Sequence, residues 1–303
     1  DSTLDVVVAK MTQQSISITS CECDEHLGGS QFTDKLVLYL ISRIKSLLKI
    51  PDDDNFTSLL GKNPERALIK FRKCAEDLKK KLSINPVVQF ETHSFMPEHE
   101  LCFNVTRDEF ESQIGDLISR IKYPVEKAIS SAQISQNDIY SIELLGGTSR
   151  IPLVKKTISD AIGTEQELSQ SLNLDECFAI GAGYMAAILS PSIIMNKYTV
   201  TDIFDDRSTI KASWEDSEGK KTCDAFNGQS PVPSKTRLPL MITKSTVVKL
   251  YNNQTNIAEV SVELDEPEVL ENPIKVSLRL RLNQSSMIEI SEAVYFDPTN
   301  HEQ

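Results

Sequence analysis

The sequence predicts an α/β domain followed by an antiparallel all-β domain. Strand-like and helix-like segments alternate up to about residue 190, and beyond Ser190-Pro191 only short strands with turn residues between them follow. A chain of 303 residues is long enough for two domains that each bury a core. We therefore predict domains at residues 1–190 and 200–303, joined by a linker at 191–199.

The first domain opens with a predicted hairpin and two amphipathic helices. Residues 5–9 and 15–19 have the composition of strands, and a helical pattern starts at Gln31. A second helix starts at Asn63-Pro64, where an asparagine cap precedes a first-turn proline. The residues expected to be buried are Phe32, Leu36, Leu40, Ile44 and Leu47 in the first helix and Leu68, Phe71, Ala75, Leu78 and Leu82 in the second.

Capping and breaking residues mark the later helices of this domain. Thr106 and Glu109 form a capping box, and Pro124 is expected to end that helix and to start the next. An apolar strand is predicted at 141–145, followed by a helix from Pro152 to Gly163 and a last helix after Asp175. The inner face of the capped helix is predicted to comprise Phe110, Ile114, Leu117, Ile118 and Ile121.

In the second domain, apolar and polar residues alternate along the strands, as in an antiparallel sheet with one solvent-exposed face. Its clearest strand is 274–282, with Ile274, Val276, Leu278, Leu280 and Leu282 on one face and Lys275, Ser277, Arg279 and Arg281 on the other. Trp214 is expected in the core.

The amino-acid composition limits the classes of partner that this protein is expected to bind. A net charge of −12 repels phosphate backbones and anionic membranes, and no local basic patch stands out along the sequence, so neither nucleic acid nor membrane is expected as a partner. The six cysteines lack metal-ligand spacing and are expected to be reduced, and no metal site is predicted. A cytoplasmic protein, also present in the nucleus, is therefore expected. Sequons at Asn55, Asn104, Asn253 and Asn283 leave the endoplasmic-reticulum lumen as the alternative.

Three segments carry a resemblance to a known family. Residues 24–33, 145–152 and 172–176, the last with Ala179, Gly181 and Ala182, resemble three signatures of the seventy-kilodalton heat-shock superfamily, in the family's order. The resemblance implies that residues 1–190 form the second lobe of an actin-like ATPase, the nucleotide-binding domain. It also implies that residues 200–303 form an antiparallel β-sandwich of the substrate-binding type.

Gly146 and Gly147 are the first candidate ligand residues. Without a Cβ they allow close approach of backbone to a nucleotide, and the following helix offers unpaired N–H groups, although a glycine pair is also the commonest form of tight turn. Arg150 can stack on adenine, the role that the resemblance implies, or can be a plain surface charge. Thr148 lies between them and is assigned to the same site.

A helix face supplies the second group. Glu76, Lys79, Lys80 and Ser83 follow at i, i+3, i+4 and i+7 and so share one face. The resemblance implies that this face binds the ribose hydroxyls and adenine. The alternative from the residues alone is a solvated face with Glu–Lys pairs. Asp175 is a further candidate, with a helix N-cap as its alternative role.

The front of the chain resembles the end of the family's second phosphate loop. Thr3 and Asp5 correspond to its phosphate or metal side, whereas Asp1 and Ser2 stand where the family has glycines. The predicted nucleotide-binding residues are Thr3, Gly29, Glu76, Lys79, Lys80, Ser83, Gly146, Gly147, Thr148, Arg150 and Asp175. The predicted cofactor is ATP or ADP, with Mg²⁺ only if the first lobe is present. No catalytic residue is predicted, and this chain is not expected to hydrolyse ATP by itself.

The linker and the second domain indicate a branch of the superfamily. Residues 191–197 stand in place of the acidic, leucine-rich linker of conventional members, and residues 200–204 and 209–214 resemble the large, hundred-and-ten-kilodalton class. That resemblance implies a nucleotide exchange factor for a conventional seventy-kilodalton chaperone and a holdase for unfolded polypeptides. The alternatives are a conventional ATP-hydrolysing folding chaperone and a degenerate fragment without nucleotide affinity.

Overall fold

The computed structural model describes residues 2–51, 55–164, 166–169, 171–173, 176–194, 198–204, 208–228, 230–264 and 270–296. By their internal contacts the residues form two units, unit 1 (1–6 and 22–195) and unit 2 (7–21 and 196–303). The mixed α/β content and the several sheets that the sequence predicts are present. The predicted domain boundaries stay a prediction, and the division by contacts differs from them in grouping residues 7–21 with unit 2.

The helices belong to unit 1. They are α1 (Gly29–Leu48), α2 (Pro64–Leu82), α3 (Arg107–Gln113), α4 (Gly115–Ser131), α5 (Pro152–Ile162) and α6 (Cys177–Leu189), with 3₁₀ turns at Phe56–Leu60, Gln136–Asp138 and Gly147–Arg150. Within the described ranges, none of these helices is long and apolar enough to cross a membrane.

The strands are shared between the two units. They are β1 (Leu4–Met11), β2 (Ser15–Asp24), β3 (Val87–Glu91), β4 (Cys102–Thr106), β5 (Thr199–Ile203), β6 (Ile210–Asp216), β7 (Gly219–Phe226), β8 (Pro231–Val232), β9 (Ser234–Ile242), β10 (Thr246–Asn252), β11 (Thr255–Val262), β12 (Ile274–Leu282) and β13 (Ile288–Phe296). β3 and β4 form an antiparallel pair in unit 1. In unit 2, β2 runs parallel to β5 through residues 15–17.

The core of unit 1 forms around an aromatic cluster on α2. Phe71 is fully buried, and its ring centroid lies 4.6 Å from that of Phe95, 5.5 Å from that of Phe56 and 6.4 Å from that of Phe90. The predicted buried faces of α1 and α2 are confirmed except at their edges, where Leu47 is 49% and Leu68 36% exposed. Both lie at the border of the apolar stripe, where periodicity alone does not decide burial.

The capping box at the start of α3 is confirmed, but the predicted helix break is wrong. Thr106 N donates to Glu109 Oε2 at 2.7 Å, and Glu109 N donates to Thr106 Oγ1 at 3.2 Å. The break falls between α3 and α4 at Ile114, whereas Pro124 lies inside α4. Gly115 has a low helix propensity. Pro124 lies on the buried face of α4, and the packing of that face offsets the hydrogen bond that the proline removes from the ladder.

Glu109 gives the fold an acid-sensitive contact. Burial acts to raise its pKa, but hydrogen bonds from the Thr106 backbone, Arg43, the Thr106 hydroxyl and Tyr39 together hold the pKa at about 2, below the ordinary 4.5. A depressed pKa adds stability above pH 4.5 that is lost as the pH falls toward 2. The variant Glu109→Gln can still complete a capping box but cannot titrate. We expect its free energy of unfolding, measured with urea, to depend less on pH between pH 4.5 and 2 than that of the wild type.

The control for this prediction is Glu65→Gln, on the exposed face of α2, which we expect to keep the wild-type pH slope. Equal slopes for the wild type and Glu109→Gln between pH 4.5 and 2 would contradict the assigned role of the carboxylate.

The predicted strand at 141–145 is largely absent from the described chain. The structure has a single parallel bridge between Glu143 and Ser169, with hydrogen bonds from Leu144 N to Ser169 O and from Ser169 N to Ile142 O. One short partner segment cannot extend the ladder, so an apolar composition alone does not make a strand here. The predicted end of α5 is confirmed, because Gly163 adopts φ 73° as its C-cap.

Besides the mixed sheet β1-β2-β5-β8, two antiparallel sheets of unit 2 contribute to one core. Their strand orders are β11-β10-β6-β7 and β13-β12-β9. Trp214 of β6 is buried there with Leu250 of β10, Leu240 of β9 and Leu278 of β12. The predicted strand 274–282 is confirmed as β12, and its even-numbered apolar residues face this core as expected, while Ser277 on the other face is also buried.

Candidate functional site

The predicted phosphate side of the site lies at the start of β1, against the start of α1. A Cβ on Gly28, the N-cap of α1, would lie only 2.7 Å from Ser2 C and 2.8 Å from Thr3 N. Its φ of −161° is ordinary extended backbone, so space and not conformation requires glycine here. Thr3 Oγ1 donates to Asp5 Oδ2 at 3.0 Å, and both side chains are exposed.

Lys79 joins α2 to the beginning of α1. Its Nζ donates to Gly29 O at 2.6 Å and to Thr33 Oγ1 at 2.9 Å, and the residue is buried. Burial lowers the pKa of this ammonium below its ordinary value. The structure therefore brings predicted residues Gly29 and Lys79 into direct contact, with Thr3 next to the neighbouring Gly28.

Of the remaining residues of the α2 face, Glu76 and Lys80 are exposed and Ser83 is half-buried. Lys80 Nζ and Glu76 Oε1 form an ion pair at 3.0 Å, and the hydrogen bond from Lys80 lowers the pKa of Glu76. Ser83 Oγ donates to Lys80 O at 2.7 Å and keeps its lone pairs for a ligand hydroxyl.

The four α2 residues do not present one common ligand-facing surface. Lys79 is turned toward α1, whereas Glu76 and Lys80 are exposed. Three residues of an α-helix correspond to a rotation of about 300°, which is about 60° short of a full turn. Lys79 therefore lies about 60° around the helix axis from Glu76, on the side of the packed stripe. In this structure the Lys79 ammonium is engaged by Gly29 O and Thr33 Oγ1.

The glycine pair forms the second predicted segment of the site. Gly146 has φ 80°, a left-handed value that favours glycine, while a Cβ on Gly147 would meet no atom within 4 Å. The 3₁₀ turn Gly147–Arg150 follows, in which Ser149 Oγ donates to Gly146 O at 2.7 Å. Arg150 is exposed and Thr148 half-buried, and Pro152 then starts α5. The space at Gly147 is open to a ligand.

Two residues of this region were not among the predicted site residues. Gly28 lies close to the Ser2 and Thr3 backbone, and Thr33 accepts from Lys79 and donates to Gly29 O at 2.9 Å. Adjacent glycines before a helix were the available signal for Gly28. The contact of Thr33 depends on the packing of α1 on α2, which no local pattern shows. Asp175 lies outside the described residues, and the ligand roles of all these residues stay predictions.

The chemistry of the segments fits a nucleoside better than a metal. The exposed Glu76–Lys80 pair and the Ser83 hydroxyl suit ribose hydroxyls, and the open space at Gly147 suits close backbone approach. Across the described ranges there is no group of three or more His, Cys, Asp or Glu side chains that could hold a metal ion. Mg²⁺ would need ligands from elsewhere, such as nucleotide phosphates.

Comparison with known proteins places the chain in a family. The model of the family described as Hsp70 protein matches residues 1–260, which is well over half of the sequence. The chain belongs to the Hsp70 family, so the predicted superfamily of heat-shock chaperones is confirmed.

Individual relatives specify the branch. A heat shock protein homolog of the yeast Lachancea kluyveri is 28% identical over 302 residues, 96% of this chain and 42% of that protein. A heat shock protein homolog of Saccharomyces cerevisiae is 31% identical over 271 residues, 84% of this chain and 37% of that protein. Heat shock 70 kDa protein 4L of Homo sapiens is 27% identical over 311 residues, 98% of this chain and 35% of that protein.

These relatives confirm the predicted large, hundred-and-ten-kilodalton branch. The chain spans between 34% and 42% of the length of the curated relatives that it matches.

Proposed function

We propose that this protein binds ATP or ADP and acts as a nucleotide exchange factor for a conventional seventy-kilodalton heat-shock chaperone. The observation that carries the nucleotide part is the arrangement on α2 in a chain of this family. Lys79 holds Gly29 at the start of α1, while Glu76, Lys80 and Ser83 remain accessible on the same helix. These groups would bind the ribose and adenine, and Gly147 would admit the phosphates beside the backbone N–H groups.

The exchange activity rests on the branch of the family. An exchange factor must hold its own shape while it binds the nucleotide-binding domain of its partner, so nucleotide has a structural role that requires no turnover. The buried Lys79, which joins α2 to the start of α1, is a contact suited to a fixed arrangement. Holding of unfolded polypeptides is the second activity proposed for the whole protein.

The finer architecture is part of the same proposal. Unit 1 would correspond to the second lobe of an actin-like ATPase, and unit 2 to an antiparallel β-sandwich of the substrate-binding type. The two antiparallel sheets of unit 2 and their common core support the latter. We propose the cytoplasm as the compartment, which agrees with six free cysteines.

Direct nucleotide binding tests the first step of this function. Fluorescent ADP titrated into the 303-residue chain is expected to show saturable binding that unlabelled ADP competes away, with no turnover of ATP. A chimera that carries the preceding segment of the Lachancea kluyveri relative is expected to bind more tightly, because additional phosphate ligands would then be present. Absence of binding by both proteins would favour the degenerate fragment, and steady turnover of ATP by the chimera would favour a conventional folding chaperone.

A further inference from the structure

The outward face of the sheet β9-β12-β13 carries a square of four cationic residues. Arg237 lies directly opposite Arg279, and Lys235 lies directly opposite Arg281. Within each strand the two residues are separated by one position, so all four side chains belong to the same face of the sheet. Lys235, Arg237 and Arg281 are exposed, and Arg279 is half-buried.

This arrangement opposes the usual pairing of charges across strands. Like charges directly opposite each other destabilise an antiparallel pair, whereas the sheet β11-β10-β6-β7 shows the favourable case, Lys249 paired with Glu259 at 3.1 Å. Two consecutive like-charge pairs between β9 and β12 therefore carry a cost to stability.

The square is incompletely neutralised. Arg279 forms an ion pair with Glu292 of β13, and its Nε is enclosed without a hydrogen-bond partner. Glu289, which lies opposite Arg281, instead accepts a hydrogen bond from Asn283 Nδ2 at 2.7 Å. Among the residues that the structure describes, Lys235, Arg237 and Arg281 have no ion-pair partner, although the whole chain has a net charge of −12.

A groove runs over this face. It has a volume of about 450 Å³ and is lined by Lys235, Thr236, Arg237, Arg279, Ser291 and Glu292. Arginine pairs suit the planar, bidentate recognition of carboxylates. Glu292 already occupies one side of Arg279, so an anion fits in the groove on the side of Lys235 and Arg237. Arg281, opposite Lys235, extends the cationic face beyond the groove.

We propose that this groove binds an extended acidic polypeptide segment with carboxylates at alternate positions. Successive residues of an extended strand rise by about 3.3 Å, so alternate side chains repeat at about 6.6 Å, the same repeat as the cations within β9 and within β12. Four cations cover only a short stretch of ligand. The net charge of −12 opposes a long, uniformly charged polyanion such as nucleic acid. The surface belongs to unit 2 alone and does not depend on the nucleotide site.

The test uses the full chain and a fluorescein-labelled peptide of alternating Glu and Thr, followed by fluorescence anisotropy. The double variant Arg237→Gln/Arg281→Gln is expected to bind about tenfold more weakly than the wild type. The control, Lys211→Gln/Lys220→Gln, removes the same charge from exposed positions of β6 and β7 and is expected to keep wild-type affinity. A peptide with the same residues in two blocks is expected to bind less tightly than the alternating peptide.

Thermal unfolding separates binding from folding. The double variant in the square removes both like-charge pairs, so its Tm is expected to equal or exceed that of the wild type while affinity falls. Equal affinities of the wild type and the Arg237→Gln/Arg281→Gln variant would overturn the proposal, as would a lowered Tm that accompanies the lost binding. Tighter binding of a single-stranded oligonucleotide than of the alternating peptide would assign the square to nucleic acid instead.

Discussion

Phe71→Ala is expected to lower the free energy of unfolding of unit 1 by about 3–5 kcal/mol, the usual range for a buried Phe-to-Ala change. Phe71 is fully buried and lies between the rings of Phe56, Phe90 and Phe95, so truncation leaves a cavity that three rigid rings cannot easily fill. The loss is measured by urea unfolding followed through far-ultraviolet circular dichroism.

The matched control for this prediction is Phe178→Ala. Phe178 lies on α6 and is 67% exposed, so the same truncation there is expected to change the free energy of unfolding by no more than about 0.5 kcal/mol. Similar losses for the two variants would show that Phe71 is not central to the core of unit 1.

Gly147→Ala is expected to weaken the binding of fluorescent ADP about tenfold and to leave stability unchanged. An added Cβ at Gly147 meets no protein atom within 4 Å, so the fold tolerates it, yet the methyl group would occupy the space through which the ligand approaches the backbone. Tenfold corresponds to about 1.4 kcal/mol of binding free energy. Anisotropy titrations give the affinity, and urea unfolding gives the stability.

Gly28→Ala is the structural counterpart for that experiment. Its Cβ would lie 2.7 Å from Ser2 C, so the backbone at the start of β1 must shift, and we expect unfolding to become easier by about 1–3 kcal/mol. If Gly147→Ala lowered stability as much as Gly28→Ala does, its effect on ADP could not be assigned to a ligand contact.

Periodicity predicted the helices of unit 1 well because their apolar stripes are wide and their caps are local. The Thr106–Glu109 capping box and the Gly163 cap depend on a few adjacent residues, and both are confirmed. Pro124 shows the limit of a local rule: the buried face of α4 continues across it, with both Ile121 and Val125 in the core. Tertiary packing there outweighs the cost of one missing hydrogen bond.

Features that depend on pairing between distant segments were less predictable. Residues 141–145 have a strand-like composition, but the ladder they would need is reduced to the bridge at Glu143. The cationic square was invisible in the sequence because β9 and β12 lie far apart along the chain, and only the register places Arg237 opposite Arg279. For the same reason the sequence alone showed no local basic patch.

In the candidate site, too, contacts within one helix were predictable from the sequence, whereas contacts between helices were not. The spacing on α2 correctly placed Glu76 next to Lys80, whose ion pair spans one turn. The burial of Lys79 and its contacts with Gly29 and Thr33 depend on how α1 packs against α2, and residue spacing on one helix carries no information about the neighbouring helix.

The most direct test of the proposed function is the rate at which a conventional seventy-kilodalton heat-shock chaperone releases fluorescent ADP. Stopped-flow traces are recorded without addition, with the 303-residue chain, and with the chimera that carries the preceding segment of the Lachancea kluyveri relative. If the protein is an exchange factor, the chimera is expected to speed the release of ADP in proportion to its concentration. Release at the unassisted rate, from a chimera that is folded and binds ADP, would contradict it.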